Sequence, residues 1–113
     1  MLTNREVAVK YIEGFCARDL EGLSDILAPD LKFRGTLYSY DSSSDYMESL
    51  KNSPAEKCSY RILSVTEGRG SVSIFYEYIK PGEVITIAQL FKINDRKIIE
   101  TLVVFDGRGF ESQ

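Results

Sequence analysis

Apolar positions in this chain change their spacing part-way along, from a helical interval to a strand-like alternation. Val7, Tyr11 and Phe15 recur at i, i+4 and i+8, and Ala8 and Ile12 widen the stripe. That pattern predicts an amphipathic first helix. Thr3 and Glu6 stand ahead of it at the spacing of a capping box. Asp19 is placed to cap a short second helix, with Leu20, Leu23, Ile26 and Leu27 along one side. Pro29 disfavours helix at Ala28 and is expected to end it. "LKFRG" then reads as a short strand, and "TLYSYDSSSD" as a polar turn-rich link. Ser42 and Asp45 predict the cap of a third helix, which carries Tyr46, Met47 and Leu50 and stops at Pro54.

From Lys57 the runs become β-branched and aromatic. "KCSYRILSVTE", "SVSIFYEYIK", "EVITIAQLFKIN" and "KIIETLVVFD" are separated by "GRG", "PG" and "NDR". Such short links favour an antiparallel meander. "GRGFESQ" reads as a frayed tail. Helices gather at the N-terminal end and strands at the other, so the expected class is α+β. A long antiparallel sheet curls over a helix layer, and the space beneath it takes side chains or a ligand.

Composition narrows the function classes. A chain of 113 residues suits one domain, spanning 1–113. The net charge of -3 gives no basic excess, so no nucleic-acid partner is expected. The Gly68–Gly70 and Gly107–Gly109 "GRG" triplets read as a turn and a tail rather than an RNA-binding repeat. No membrane partner or secretory leader is indicated, so the cytoplasm is expected. Cys16 and Cys58 form no CxxC and read as free thiols. The chain has no histidine, which removes His-based nucleophilic catalysis, His general bases and His-ligated zinc. No metal or cofactor is expected. Proton chemistry would fall to Asp, Glu, Tyr, Lys or Cys.

The segments "YIEGFCARDLEGLSDILAPDLKF", "FYEYIKPGEVITIAQLFKIN" and "KIIETLVVFDG" resemble the nuclear transport factor 2-like superfamily, which includes ketosteroid isomerase and the SnoaL-like polyketide cyclases. The resemblance implies a cone of three N-terminal helices packed on a strongly curved, mainly antiparallel sheet. It also implies a homodimer through the outer sheet face, where Leu90, Leu102 and Val104 lie. Tyr11 falls where ketosteroid isomerase places its oxyanion-hole tyrosine. The general-base aspartate position reads Gly35, and the protonated-aspartate position reads Gln89. The neighbouring Arg34 cannot act as a base at neutral pH.

Strand parity groups Val72, Ile74 and Tyr76 on one face, and Ser73, Phe75 and Glu77 on the other. Both faces carry apolar residues, so parity alone does not choose the inner one. The ketosteroid isomerase register implies an interior of Ile74, Tyr76, Ile87, Gln89, Phe91, Thr101, Val103 and Phe105, facing Tyr11, Phe15, Phe33, Tyr46 and Leu50. Tyr38, Tyr40 and Tyr46 fall near a mouth.

Candidate catalytic groups are Tyr11, Gln89, Asp106 and Asp41. Each also has a plain structural reading. Tyr11 and Gln89 satisfy each other across the interior, Asp106 is a strand-end turn residue, and Asp45 is a helix cap. Three functions compete. One is a pocket for a small apolar or carbonyl-containing molecule, held by Tyr11 and Gln89. Another is a cofactor-free isomerase, cyclase or dehydratase, with Tyr11 polarising a carbonyl and Asp41 or Asp106 moving a proton. The third is a dimeric protein-interaction module without catalysis.

Overall fold

The computed structural model describes residues 2–52 and 57–106. The Pro54 stop, the tail and its Gly107–Gly109 triplet lie outside the described residues. Three helices and six strands follow in the order α1 (Asn4–Ala17), α2 (Leu20–Ile26), β1 (Leu27–Arg34), β2 (Ser39–Tyr40), α3 (Ser43–Lys51), β3 (Ser59–Gly68), β4 (Ser71–Lys80), β5 (Glu83–Asn94) and β6 (Lys97–Phe105).

Local signals set the helix starts. The Thr3–Glu6 capping box forms in both directions, at 3.1 Å and 2.9 Å. Asp19 Oδ1 accepts from the Gly22 N–H at 3.0 Å, and Ser42 Oγ from the Asp45 N–H at 3.1 Å. Each cap satisfies an amide that the helix itself leaves unpaired. Arg18 turns the chain out of α1 in the left-handed region, at φ 59°.

Pro29 behaves differently from expectation. α2 ends at Ile26, before the proline can act, and β1 begins at Leu27. Pro29 lies within β1, where the register against β6 shifts between Leu27 and Lys32. A residue without an N–H is tolerated at such an irregularity. The strand therefore starts four residues earlier than "LKFRG" and stops before Gly35. The polar link beyond it also holds β2, which pairs Ser39 and Tyr40 with Arg34 and Phe33.

The sheet runs β2-β1-β6-β5-β4-β3. β1 and β6 are parallel and the other neighbours antiparallel, so the sheet is mixed. The parity of the long strands holds. Val72, Ile74 and Tyr76 are buried beneath the helices, while Phe75 on the opposite face is 53% exposed. Phe91, Ile12, Leu23 and Leu31 are fully buried in the same core. Removing a side chain such as Phe91 costs about 3–5 kcal/mol, because the cavity left behind collapses only partly. On the outer face, Phe75, Ala88 and Val104 stand in register across β4, β5 and β6, next to the row Ser73, Leu90 and Leu102.

The hairpins close as their turn residues dictate. Gly70 and Gly82 take positive φ at the first two turns. The β5–β6 turn instead puts Asp95 and Arg96 at φ 50° and 61°. Positive φ at both central residues marks the tight turn that matches strand twist. Arg96 carries a Cβ into this region at a cost of about 1–2 kcal/mol. Arg96→Gly is expected to raise stability by about 0.5–1 kcal/mol, once the extra unfolded-state freedom of glycine is counted. Thermal unfolding should register this as a higher midpoint, and an unchanged or lower midpoint would contradict the turn assignment.

Candidate functional site

A cavity of about 450 Å³ opens between the inner sheet face, α1, α3 and the loop after β1. Tyr11 and Phe15 reach it from α1, Tyr46 and Leu50 from α3, and Phe33 from β1. Tyr76, Gln89, Val103 and Phe105 reach it from the sheet.

The inner end is polar but uncharged. The Tyr11 and Tyr46 hydroxyls hydrogen-bond to each other, and both residues are 3% exposed. Beside them a chain of hydrogen bonds has a forced direction. The Leu90 carbonyl can only accept, so Thr101 Oγ1 donates to it, at 2.9 Å. Thr101 Oγ1 then accepts from Gln89 Nε2 at 2.9 Å. Gln89 Oε1 is left to accept from the Tyr76 hydroxyl at 2.8 Å. A carbonyl at one end thus settles which way the amide points.

Aromatic rings form the walls. Phe33 stacks on Tyr46 at 4.6 Å between centroids, and Phe91 meets Tyr11 edge-on at 5.4 Å from below. Phe15 contacts Tyr78 at 5.9 Å. Burial pushes the Tyr11 phenol up to about 12, against opposing hydrogen bonding from Tyr46 and Gln89. Burial also holds Tyr46 and Tyr76 well above the ordinary phenol value. These hydroxyls therefore stay protonated at neutral pH and act as donors.

Several expected residues lie elsewhere. Ile74, Phe91 and Thr101 pack beneath the cavity and do not line it, although Thr101 orients Gln89 from below. The Tyr11 hydroxyl bonds to that of Tyr46, and Gln89, besides acting on the Tyr11 phenol, bonds to Tyr76 and Thr101. Asp41 is outside, with its side chain 70% exposed. Arg34 lies 2.7 Å away and Lys32 3.8 Å. The Arg34 hydrogen bond and charge hold Asp41 below the usual carboxylate range. Asp106 is exposed beyond the end of β6 and does not line the cavity. Tyr78, Lys80 and Ile85 do line it, and sequence reasoning passed them over. Their signal was present: Tyr78 and Lys80 continue the parity of Tyr76, and Ile85 that of Ile87.

An NTF2-like protein from Cytophaga hutchinsonii superposes with a TM-score of 0.82 at 20% identity, covering 96% of this chain and 95% of that one. A candidate SnoaL-like polyketide cyclase from Shewanella putrefaciens gives 0.82 at 17% identity, covering 100% and 86%. A protein with a ketosteroid isomerase-like fold from Catenulispora acidiphila, solved in complex with trimethylamine, gives 0.77 at 15% identity, covering 92% and 88%. The fold is nuclear transport factor 2-like. No protein-family model matches the chain, and no curated protein matches it in sequence.

Within this nuclear transport factor 2-like fold, Gly35 has a physical reason. The Gly35 N–H closes a turn onto the Tyr38 carbonyl at 2.8 Å. A Cβ at Gly35 would lie 3.0 Å from that carbonyl oxygen and 3.1 Å from the Phe33 ring. A side chain at position 35 would therefore require the turn or the Phe33 ring to give by a few tenths of an ångström.

Buried phenols make the fold sensitive to alkali. A group with a raised folded pKa holds its stability below the unfolded value and loses it as pH climbs through the folded one. The contribution of Tyr11 should thus be lost between about pH 10 and about 12. Phenolate absorbance is expected to rise for Tyr11, Tyr46 and Tyr76 only together with loss of tertiary structure. Their ionisation in a chain that keeps its near-UV circular dichroism would contradict this packing.

Proposed function

We propose that this protein binds a small apolar molecule bearing a carbonyl oxygen. The oxygen sits against the Tyr11–Tyr46 pair, and the body lies along the aromatic walls. The observation that carries this reading is the pair itself. Two buried hydroxyls share one hydrogen bond, so one O–H hydrogen is left for an acceptor in the cavity. Gln89 Oε1 accepts from the Tyr76 hydroxyl, so a ligand carbonyl has at most its second lone pair to compete with for that hydrogen. The volume falls within the range of small-molecule sites. The Catenulispora protein, solved in complex with trimethylamine, supports a small organic guest for a protein of this fold.

Binding is favoured over isomerase or cyclase chemistry. The phenol pair could polarise a carbonyl. A proton must then move to a base, and no carboxylate lines the cavity among the described residues. In this reading the chain acts as one domain, its sheet curling into a cone over the helices. It works in the cytoplasm, where Cys16 and Cys58 stay reduced.

A ketone and its matched hydrocarbon test this directly. Tetralone is expected to bind about tenfold tighter than tetralin in calorimetry, in line with one hydrogen bond from a desolvated donor. A Tyr11→Phe, Tyr46→Phe double variant should abolish that preference while retaining tetralin. Failure of both compounds to bind, at concentrations up to their solubility, would remove the proposal.

A second reading concerns the outer sheet face. Phe75 and Val104 are each 53% exposed and Leu102 is 43% exposed, all on one continuous surface. We propose that two chains pair through it, because apolar faces of this kind favour burial. Light scattering should give twice the 12.8 kDa chain mass. Val104→Asp should shift the protein to monomer without unfolding it. A monomeric wild type at high micromolar concentration would rule this out.

A further inference from the structure

We infer that the ligand is an anionic amphiphile: a monocarboxylate whose charged end stays at the rim beside Lys80 while its carbonyl end reaches the Tyr11–Tyr46 pair. This rests on the binding reading above and adds a charge and a direction to it.

The cavity is sorted by polarity along its depth. At the rim, Lys80 contributes to the lining, and its ammonium lies 5.7 Å from the ring centroid of Tyr78, another lining residue. Its counter-charge is Glu83, 3.2 Å away across the hairpin, and Glu83 does not line the cavity. The Lys80 and Glu83 side chains are 37% and 51% exposed. Such a solvated pair is weak, so an arriving carboxylate can share the ammonium with little loss. Arg18 is a second cation nearby, although it does not line the cavity. It donates to the carbonyl of Leu50, a lining residue, at 2.8 Å. No described carboxylate lies within ion-pair distance of it.

The deep end offers neutral donors alone. A carboxylate buried against Tyr11 and Tyr46 would lose its hydration with no cation to replace it. A neutral carbonyl loses far less there and gains the remaining O–H. One orientation therefore satisfies both ends, with the anion in water beside Lys80 and the carbonyl inside. A cationic ligand meets the reverse, because it faces an ammonium at the entrance and finds no carboxylate within. Glu83 limits the preference without reversing it, since it lies outside the lining.

Three matched probes decide the point: 4-benzoylbenzoate, its carboxamide, and its trimethylammonium analogue. All share one ketone and one body and differ in charge. At low salt the benzoate should bind at least about fivefold tighter than the carboxamide, and the ammonium probe weakest. Added salt should shrink the benzoate advantage and leave carboxamide affinity unchanged, a readout that needs no variant. Lys80→Met should remove the advantage, and Glu83→Gln should enlarge it. Equal affinity for benzoate and carboxamide would overturn the inference while leaving the binding proposal intact. Tighter binding of the ammonium probe would overturn it as well. If none of the three binds, and tetralone also fails, the site reading and this inference fall together.

Discussion

A buried amide sets the terms for the interior. Gln89 lies at 2% exposure under a helix layer, where an unpaired polar group would cost on the order of 1–3 kcal/mol. It is satisfied from both sides, by Tyr76 on β4 and Thr101 on β6. That arrangement works only when the three strands hold their observed register, with Gln89 opposite Ile74 and Val103. A one-residue slip would carry Gln89 to the outer face and bring a neighbour such as Leu90 inward. The same hydrogen bonds fix which way the amide points. Packing, register and cavity chemistry therefore share one constraint.

The consequence is a pocket whose described lining holds protonated hydroxyls and no carboxylate. Its phenols are held protonated by burial, and its amide bonds to Tyr76 and Thr101. Position 35 is glycine, and the turn from Gly35 to Tyr38 packs tightly against where a Cβ would stand. Asp41 lies a few residues further on, but Arg34 and Lys32 hold it on the surface. Relatedness of fold thus says little about activity here, because chemistry lives in the few groups that point inward. The polar rim at Lys80 and the neutral interior are the features on which the binding proposal rests.

Much of this was legible before any coordinates. The caps at Thr3, Asp19 and Ser42 stand where their spacing placed them. β4 and β5 match their predicted runs, since alternation and two-residue turns are strong local signals. β1 and β2 were harder. Pro29 reads locally as a helix stop, yet it sits in a strand because a parallel neighbour far along the chain tolerates a register shift there. Residues Tyr11, Tyr76 and Gln89 were expected in one interior, and their proximity is real. Their pairing was not foreseeable, because Tyr46 comes from α3 and its depth depends on how that helix docks against β1.

Sequence by itself determined the three helices, the four long strands and their order, the alternation of faces and the absence of histidine chemistry. These depend on residues close together in the chain or on composition alone. Tertiary structure decided which face is inner, which hydroxyl meets which, how tightly the turn packs at position 35, and that Lys80 shares a cavity with Tyr11. Those are contacts between residues far apart in sequence. Their energies are set by burial and by the partners that packing supplies, and neither quantity is written in any local pattern.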